Sequence, residues 1–207
     1  MKKEIILVGG GGHCKACIDV IEAQGEYSIA GIVDLKEKIG ERVLNYKIIA
    51  CDEDLARLAK EYQYFLISIG QIKVLQKRAE KFKILKDSGA EFPIIISPAA
   101  YVSKHARIDE GTIVMHRAVV NADANVGRNC ILNTGAVIEH DVVIKDNCHI
   151  STCAVVNGGT VVGENCFVGS NSAIREGIQV GSSSVIGAGL TILSNLPDKS
   201  FVKKAAE

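Results

Sequence analysis

Net charge, proline and long apolar runs are all scarce in this chain of 207 residues. Lysine and arginine together number 24, as do aspartate and glutamate, so the formal net charge is zero and no nucleic-acid or membrane-surface partner is indicated. No apolar run approaches the roughly 20 residues of a membrane-spanning helix. The apolar stretch after Met1, Lys2 and Lys3 is too short for a signal peptide, so we expect a cytoplasmic protein.

The three prolines mark a division of the chain. Pro93 and Pro98 flank one short region, and Pro197 lies near the C-terminus, so that the segment between Pro98 and Pro197 contains no proline. We therefore expect two domains, residues 1–95 and residues 96–207, joined by a short linker.

A repeat of six organises the second domain. Sixteen positions spaced six residues apart, from Val102 to Ile192, are all Val, Ile or Leu. In a chain that is 47% apolar, chance produces this on the order of once in 10^5. A period of six fits neither a helix nor a plain strand, but it fits a chain that turns a corner every six residues, as in hexapeptide β-helix repeats. Three short strands then make each coil of a triangular prism.

Other positions of the six-residue repeat also favour one kind of residue, and the residues at each such position form a column along the prism. Two residues before each aliphatic position, small side chains dominate and are predicted to point into the prism; they include Cys130, Cys148 and Cys166, whose spacing does not suit a metal site. One residue after it come types that tolerate bends and positive φ, such as Gly127. A last column predicts a ladder of stacked side-chain amides and contains Asn129, Asn147 and Asn165.

The first domain alternates strands with helices, which predicts a parallel, Rossmann-like α/β sheet. The predicted strands cover residues 4–8, 28–33, 64–69 and 91–96. The predicted helices cover residues 14–24, 52–61 and 71–87, and Asp52 is the expected cap of the second.

A glycine run, Gly9–Gly12, joins the first strand to the first helix and is followed by His13. Backbone N–H groups of such a turn can cradle phosphates, and Asp34 at the end of the second strand could bond a ribose or a base edge. The dinucleotide fingerprint requires glycine where Cys14 stands, so a nucleotide other than a nicotinamide cofactor suits the loop better. A tight turn without a ligand stays open, as does a redox or metal role for Cys14 and Cys17.

One outward stretch of the prism, residues 133–141, differs from the others. His140 lies two residues after the inward Ile138 and should project near a corner. An imidazole flanked by the carboxylate of Asp141 suits a general base, although a surface histidine in a polar turn explains the pattern equally well.

The positions of the other histidines on the coil predict the face of the prism on which each one lies. His149 lies nine residues after His140, half a coil away, and therefore on another face. One ligand could meet both histidines where two prisms pack side by side. His105 and His116 are predicted to be surface residues.

Two motifs narrow the interpretation further. The hexapeptide coil resembles the left-handed β-helix acyltransferases. Gly-x-Gly-Gly-His at residues 9–13 and Asn-Thr-x-x-x-Ile-Glu-His-Asp at residues 133–141 together resemble the NeuD/PglD-like sugar acetyltransferases. The chain is most similar to the branch that acetylates the 4-amino group of a UDP-linked trideoxy amino sugar in bacillosamine-type glycan synthesis.

The resemblance implies a homotrimer with active sites between subunits, acetyl-CoA as co-substrate, a UDP-amino sugar as acceptor and no metal. It implies His140 as general base and Asp141 as the carboxylate that raises its basicity. The positions it assigns to acetyl-CoA are Asn133, His149, Gly158, Ser170 and Ala188. The positions it assigns to the UDP-sugar are Gly11, Gly12, His13, Asp34 and Gly70.

The chain departs from the family pattern in two places. Leu35 follows Asp34 where a second acidic residue is common, and residues 201–207 replace the usual Gly-x-Pro-Ala-Lys/Arg tail near CoA. Two alternative functions stay open: an O-acetyltransferase acting on sialic acid or another sugar, and a non-catalytic scaffold. Tight UDP binding would favour the N-acetyltransferase, and the intact His140 and Asp141 argue against the scaffold.

Overall fold

The computed structural model describes residues 2–70 and 76–203. The predicted start of the third helix, in residues 71–75, and the last four residues of the tail lie outside this part of the chain. Within it, no helix combines the length and the apolar character needed to cross a membrane.

The first domain is the predicted Rossmann-like fold. Its sheet has the strand order β3-β4-β2-β1-β5, and all pairs are parallel except β3 with β4. The strands are β1 (Lys3–Val8), β2 (Tyr27–Val33), β3 (Arg42–Val43), β4 (Tyr46–Ala50) and β5 (Tyr64–Ile67), and the helices are α1 (Gly12–Gln24), α2 (Leu55–Glu61) and α3 (Gln76–Asp87). Strand β1 is apolar on both sides because Ile5 and Leu7 pack with α1, whereas Ile6 and Val8 pack with α2 and α3.

Two predictions for this domain were wrong in detail. The β3–β4 hairpin was missed, since its first strand has only two residues. Asp52 does not cap the second helix: a 3-10 turn, Asp52–Asp54, precedes α2, and the Asp54 carboxylate accepts the N–H of Cys51 at 3.1 Å. The Asp54 carboxylate, three residues after Cys51, therefore sets the start of this turn.

The strand predicted over residues 91–96 is also different. Glu91 makes a single bridge to Tyr64, and only β6 (Ile95–Ile96) forms a strand, paired with Ile113–Val114 of the second domain. Pro93, which has no N–H to donate, interrupts the ladder between them. The exact domain boundary at residue 95 stays a prediction, but the prism ladder already includes Ile95.

The second domain is a left-handed parallel β-helix of hexapeptide repeats, as predicted. Sixteen two-residue strands follow one another, and each sequence-predicted aliphatic residue is the second residue of its strand. They are β7 (Tyr101–Val102), β8 (Arg107–Ile108), β9 (Ile113–Val114), β10 (Val119–Val120), β11 (Asn125–Val126), β12 (Ile131–Leu132), β13 (Val137–Ile138), β14 (Val143–Ile144), β15 (His149–Ile150), β16 (Val155–Val156), β17 (Val161–Val162), β18 (Phe167–Val168), β19 (Ala173–Ile174), β20 (Gln179–Val180), β21 (Val185–Ile186) and β22 (Thr191–Ile192). These residues and the small ones before them form the prism core, in which Cys130, Cys148 and Cys166 are fully buried. A last strand, β23 (Phe201–Val202), continues the stack, so part of the atypical tail completes the prism.

The corners correct one prediction. Positive φ occurs three residues after the aliphatic, as at Asn129 (53°) and Asp141 (60°), not one residue after it. The glycines that directly follow the aliphatic residues are needed for another reason, because the backbone of the next coil lies very close to them. A Cβ on Gly163 would lie 2.5 Å from the amide nitrogen of Ser182 in that coil. The amide ladder begins as predicted, since Asn129 Nδ2 donates to Asn147 Oδ1 at 2.8 Å.

Two of the three prism sheets matter for the site. The covered face contains β6, β9, β12, β15, β18, β21 and β23, and the open face contains β7, β10, β13, β16, β19 and β22. Helix α1 packs on the covered face, where Ile18 and Ile21 share one buried cluster with Ile113 and Ile131. The open face presents half-buried apolar residues, Val119, Val137, Val155 and Ala173.

His116 is only partly a surface residue, since its side chain is 30% exposed and its ring bonds to the first domain. Its Nε2 lies 2.8 Å from the Asp19 carboxylate on α1, and its Nδ1 lies 2.6 Å from the Ser97 hydroxyl. The histidine thus joins the two domains, an arrangement visible only once α1 is docked. His105 is exposed, as predicted.

Candidate active site

His140 projects from a corner of the prism, between the open face and the third face, which contains β8, β11, β14, β17 and β20. Its side chain is 66% exposed and that of Asp141 is 63% exposed, and His140 Nδ1 lies 2.7 Å from Asp141 Oδ2. A carboxylate only accepts, so Nδ1 carries the shared proton and Nε2 presents its lone pair to the outside. This hydrogen bond raises the pKa of His140 above its usual value, so the pair is suited to taking up a proton.

Gly158 lies one coil above His140 and sets the position of the imidazole. A Cβ at Gly158 would lie 2.6 Å from His140 Cε1, so any side chain there would displace the ring. An open depression beside the ring is lined by Glu139, Asn157, Gly158 and Glu176. Gly158, which the family resemblance assigns to acetyl-CoA, is therefore placed beside the predicted base.

His149 lies on the covered face and is only 5% exposed. Its ring packs edge-on against Phe167 (centroid distance 5.2 Å) and lies 6.1 Å from the ring of His13 on α1. Asn133 Oδ1 accepts the N–H of Thr134, which turns Asn133 Nδ2 towards His149 Nε2 at 3.1 Å. His149 Nε2 therefore accepts this hydrogen bond. We call His13, His149, Asn133 and Phe167 the histidine seam.

His13 is the member of the seam that belongs to the first domain. Its Nε2 is buried, and within the described residues it has no hydrogen-bond partner. Burial, together with the nearby Arg78 and His149, lowers the pKa of His13 to about 3. The imidazole is therefore neutral at physiological pH.

The glycine loop places the N-terminus of α1 next to the seam. Gly11 is the N-cap and, among the described residues, no side chain caps it. The positions where Gly11 and Gly12 would carry a Cβ face open space. The first amides of a helix lack acceptors within the helix and carry partial positive charge, so this end of α1 suits a phosphate group.

Asp34 shapes the same loop. Its Oδ2 accepts the N–H of Gly10 at 3.1 Å and the ammonium of Lys38 at 3.3 Å, and its Oδ1 accepts the N–H of Leu35 at 2.8 Å. A Cβ on Gly10 would lie 2.6 Å from Asp34 Oδ2, so a side chain there would displace this carboxylate. Gly10 and Lys38 were not identified from the sequence as parts of this site, although the glycine run contained the signal for Gly10.

Gly70 closes the loop from the other side. It follows β5, and a Cβ on it would lie 3.4 Å from His13 Cβ. All five residues assigned to the nucleotide sugar therefore lie around the N-terminus of α1. The structure brings this group to the histidine seam, which the sequence did not show.

The residues assigned to acetyl-CoA fall into two groups. Asn133, Ser170 and Ala188 lie on the corner between the covered and the open face, and His149 lies on the covered face beside Asn133. The Ser170 hydroxyl is 2.9 Å from that of Ser151. Gly158 lies on the opposite edge of the open face, together with His140. The two groups therefore flank the open face, and one chain alone does not assemble them into one pocket.

Cys14 and Cys17 do not form a redox site. Both are fully buried in the core around α1. Burial raises the pKa of the Cys14 thiol to about 11 and also raises that of Cys17, whereas a reactive cysteine needs an exposed thiol of lowered pKa. Within the described residues, no group of three histidine, cysteine or carboxylate side chains has the arrangement of a metal site.

Known families match most of the chain in three segments. The PglD N-terminal domain matches residues 4–82, the six-repeat bacterial transferase hexapeptide matches residues 123–158, and the hexapeptide repeat of succinyl-transferase matches residues 159–194. A solved structure of perosamine N-acetyltransferase from Caulobacter crescentus, a histidine-to-asparagine mutant in complex with CoA and GDP-perosamine, is 31% identical. The match covers 96% of this chain and 92% of that chain, with a TM-score of 0.90.

The chain belongs to the PglD-like family of sugar acetyltransferases. Another member of similar structure is the acetyltransferase domain of PglB from Neisseria gonorrhoeae FA1090 in complex with acetyl coenzyme A. It is 29% identical over 97% of this chain and 96% of its own, with a TM-score of 0.88. Both of these solved structures contain CoA or acetyl-CoA as a ligand.

A relative from Bacillus subtilis (strain 168) is the UDP-N-acetylbacillosamine N-acetyltransferase, 36% identical over 118 residues. The match covers 55% of this chain and 51% of that enzyme, so the chain spans about half the length of this curated relative.

Proposed function

We propose that the protein transfers the acetyl group of acetyl-CoA to the amino group of a nucleotide-linked amino sugar. The specific acceptor we propose is a UDP-linked trideoxy sugar of the bacillosamine type, acetylated at its 4-amino group. The observation that carries the proposal is the exposed His140–Asp141 pair, 2.7 Å apart, on the corner of a hexapeptide prism. The names of the relatives, which act on or bind bacillosamine- or perosamine-type sugars, support the acceptor class.

The reaction we propose is a direct transfer in a ternary complex. The sugar amine attacks the thioester carbonyl carbon while His140 Nε2 accepts a proton from the amine nitrogen. The carbon–sulfur bond of the tetrahedral intermediate then breaks, and the imidazolium returns the proton to the departing CoA thiolate. Asp141 holds the Nδ1–H tautomer and stabilises the imidazolium, and a backbone N–H of the corner steadies the oxyanion.

The acceptor site we propose surrounds the N-terminus of α1. The open amides of Gly11 and Gly12 suit the diphosphate, and Asp34 lies where a ribose or base can reach it. His13 and Gly70 border the sugar, and the neutral His13 Nε2 accepts or donates a hydrogen bond there without taking a proton from the amine.

The complete site requires a second copy of the chain. His140 and Gly158 lie on one edge of the open face, and Asn133, Ser170 and Ala188 lie on the other. Packing of open faces around a threefold axis would bring the base of one subunit to the histidine seam of its neighbour. We therefore propose a homotrimer in which acetyl-CoA lies between adjacent prisms.

The proposed location is the cytoplasm. The seven cysteines, all in the described part of the chain, carry thiols rather than disulfides, which is typical of a reducing compartment. Acetyl-CoA and nucleotide sugars are the substrates such a location would supply.

The decisive experiment measures thiol release from acetyl-CoA with a panel of acceptors, for the native protein and for His140→Ala. The panel holds UDP-, GDP- and dTDP-linked 4-amino sugars and free sialic acid, and His105→Ala is the control for a surface histidine. Turnover with a UDP-amino sugar that the His140 variant loses would support the proposal. Turnover confined to GDP- or dTDP-sugars would overturn the choice of nucleotide, and turnover with sialic acid alone would assign an O-acetyltransferase. No thiol release with any acceptor would contradict the proposed activity.

A further inference from the structure

Arg78 is a buried cation that the proposed chemistry leaves without a role. It lies on α3 and is 1% exposed. Burial lowers its pKa to about 10, so the guanidinium still carries its charge at neutral pH. A charged group this deep in a protein is costly unless it is well bonded, so its partners are informative. Its two terminal nitrogens have partners, whereas its Nε is buried and has none among the described residues.

The four partners of Arg78 belong to both domains. Nη1 donates to the carbonyl oxygens of Ile67 (2.8 Å) and Ile69 (2.6 Å), and Nη2 donates to the backbone and side-chain oxygens of Asn129 (both 2.9 Å). Ile67 and Ile69 precede Gly70 at the acceptor site, and Asn129 is the first member of the amide ladder of the prism. The planar fork of arginine matches four acceptors held in this way, which one ammonium group cannot do.

The hydrogen-bonded path continues from Arg78 into the glycine loop. Ser68, between the two carbonyls that Arg78 holds, donates its hydroxyl to the carbonyl of Gly9 at 2.7 Å. Gly70, two residues further on, packs against His13. The segment 67–70 is thus fixed to the prism through Arg78 and to the glycine loop through Ser68.

We propose that Arg78 is a positioning residue for the acceptor site, which fixes Gly70 and His13 relative to the prism by bonding segment 67–70 to Asn129. This inference rests on the proposed function in one respect, the location of the acceptor around His13. Arg78 touches no predicted substrate position itself and acts through the loop. Its charge has a second consequence, since it is one of the causes that lower the pKa of His13 and so keep this imidazole neutral.

The test compares Arg78→Lys, which keeps the charge and loses the fork, with Arg78→Met, which loses both. Arg57→Met is the matched control, because Arg57 is an exposed arginine paired with Asp54 and Glu61 on a neighbouring helix. We expect both Arg78 variants to lose about 10- to 100-fold in kcat/KM for the nucleotide sugar, while acetyl-CoA binding stays within about twofold. The Arg57 variant should match the native protein in both.

Two measurements need no turnover and separate this inference from the proposed function. Amide hydrogen exchange of segments 9–13 and 67–70 should become faster in both Arg78 variants, with the prism segment 137–168 unchanged. Titration of His13 by NMR should show its pKa raised in Arg78→Met and nearly native in Arg78→Lys. These results would support the positioning role even if every acceptor in the panel failed.

Other results would overturn it. Unchanged exchange at residues 9–13 and 67–70, or native acceptor kinetics in Arg78→Lys, would show that the fork positions nothing. Faster exchange along the whole prism, together with weakened acetyl-CoA binding, would show that Arg78 contributes only to the general stability of the fold. If neither Arg78 variant folds, Asn129→Gly removes one of the four acceptors and keeps the left-handed backbone; it should show the same changes more weakly, and native behaviour there would contradict the proposal.

Discussion

The imidazole at the His140 corner and the imidazoles of the histidine seam lie in opposite environments. His140 is exposed, and its carboxylate partner raises its pKa. His13 and His149 are packed between the domains, and burial lowers the pKa of His13 to about 3. The first region therefore suits a group that takes up a proton, and in the second region His13 stays neutral.

This difference explains how one reaction can use both regions. A base must be able to take up a proton, whereas a group that orients an amine must not compete for that proton. The open apolar face separates the two regions within one chain, so packing of a second copy against this face would join them. Four substitutions test this contrast, in order of decreasing expected effect.

His140→Ala should have the largest effect. Loss of the general base should lower kcat by about 10^2- to 10^4-fold. Binding of acetyl-CoA and of UDP, measured by calorimetry, should stay near native, since the imidazole is an exposed corner residue. A loss of UDP binding comparable to the loss of kcat would mean that His140 acts in binding rather than in proton transfer. His105→Ala serves as the control and should be native.

Gly158→Ala should displace the base without removing it. The added Cβ would lie 2.6 Å from His140 Cε1, so the ring has to move away from Asp141 or outward. Misplacement of a catalytic group by about 1 Å costs up to roughly 100-fold in rate. Steady-state kinetics should therefore show a fall in kcat with little change in thermal stability. A native kcat would indicate that the position of this ring is unimportant.

Asp141→Asn should change the pH dependence. His140 must be neutral to act, so activity is present above its pKa and is lost as the pH falls through it. Because Asp141 raises this pKa, the variant should shift the acidic limb of the kcat profile to lower pH, with a loss of about tenfold at the optimum. A limb that stays in place would show that His140 is not the titrating group.

His13→Asn should have the smallest effect of the four. It removes one neutral hydrogen-bonding group, worth about 1 kcal/mol or roughly fivefold, and should act mainly on KM for the nucleotide sugar. The acidic limb of the pH profile should not move, because His13 does not titrate near neutrality. A shifted limb would assign His13 a role in proton transfer and remove the contrast between the two regions.

The sequence predicted the prism almost residue by residue because its signal is local. In a coil with a period of six, the position of a residue decides whether it points inward, and all sixteen aliphatic positions from Val102 to Ile192 fell where expected. The corner conformation was misplaced by two residues, because glycine serves both positive φ and close approach between coils. Gly127 and Gly163 belong to the second use.

The contacts between the domains could not be predicted in this way. Burial of His149, the bond from His116 to Asp19, and the four bonds of Arg78 all depend on how α1 and α3 dock on the prism. Docking is decided by side-chain packing between residues far apart in sequence, and no repeat or motif records it. The motif around residues 133–141 predicted His140 and Asp141 as neighbours, but not that the seam would be buried while the corner stays exposed.

Complementation between two impaired chains tests the shared site most directly, once each parent variant is shown to have lost most of its turnover. His140→Ala chains and chains that carry both His13→Asn and His149→Asn would be co-expressed with different tags, and trimers that contain both would be purified over both tags. If each site takes its base from one subunit and its seam from the neighbour, every mixed trimer has one intact site and should show about one third of native turnover. Turnover no higher than that of the two parent variants would mean that no site takes its base and its seam from different subunits, which would contradict the account.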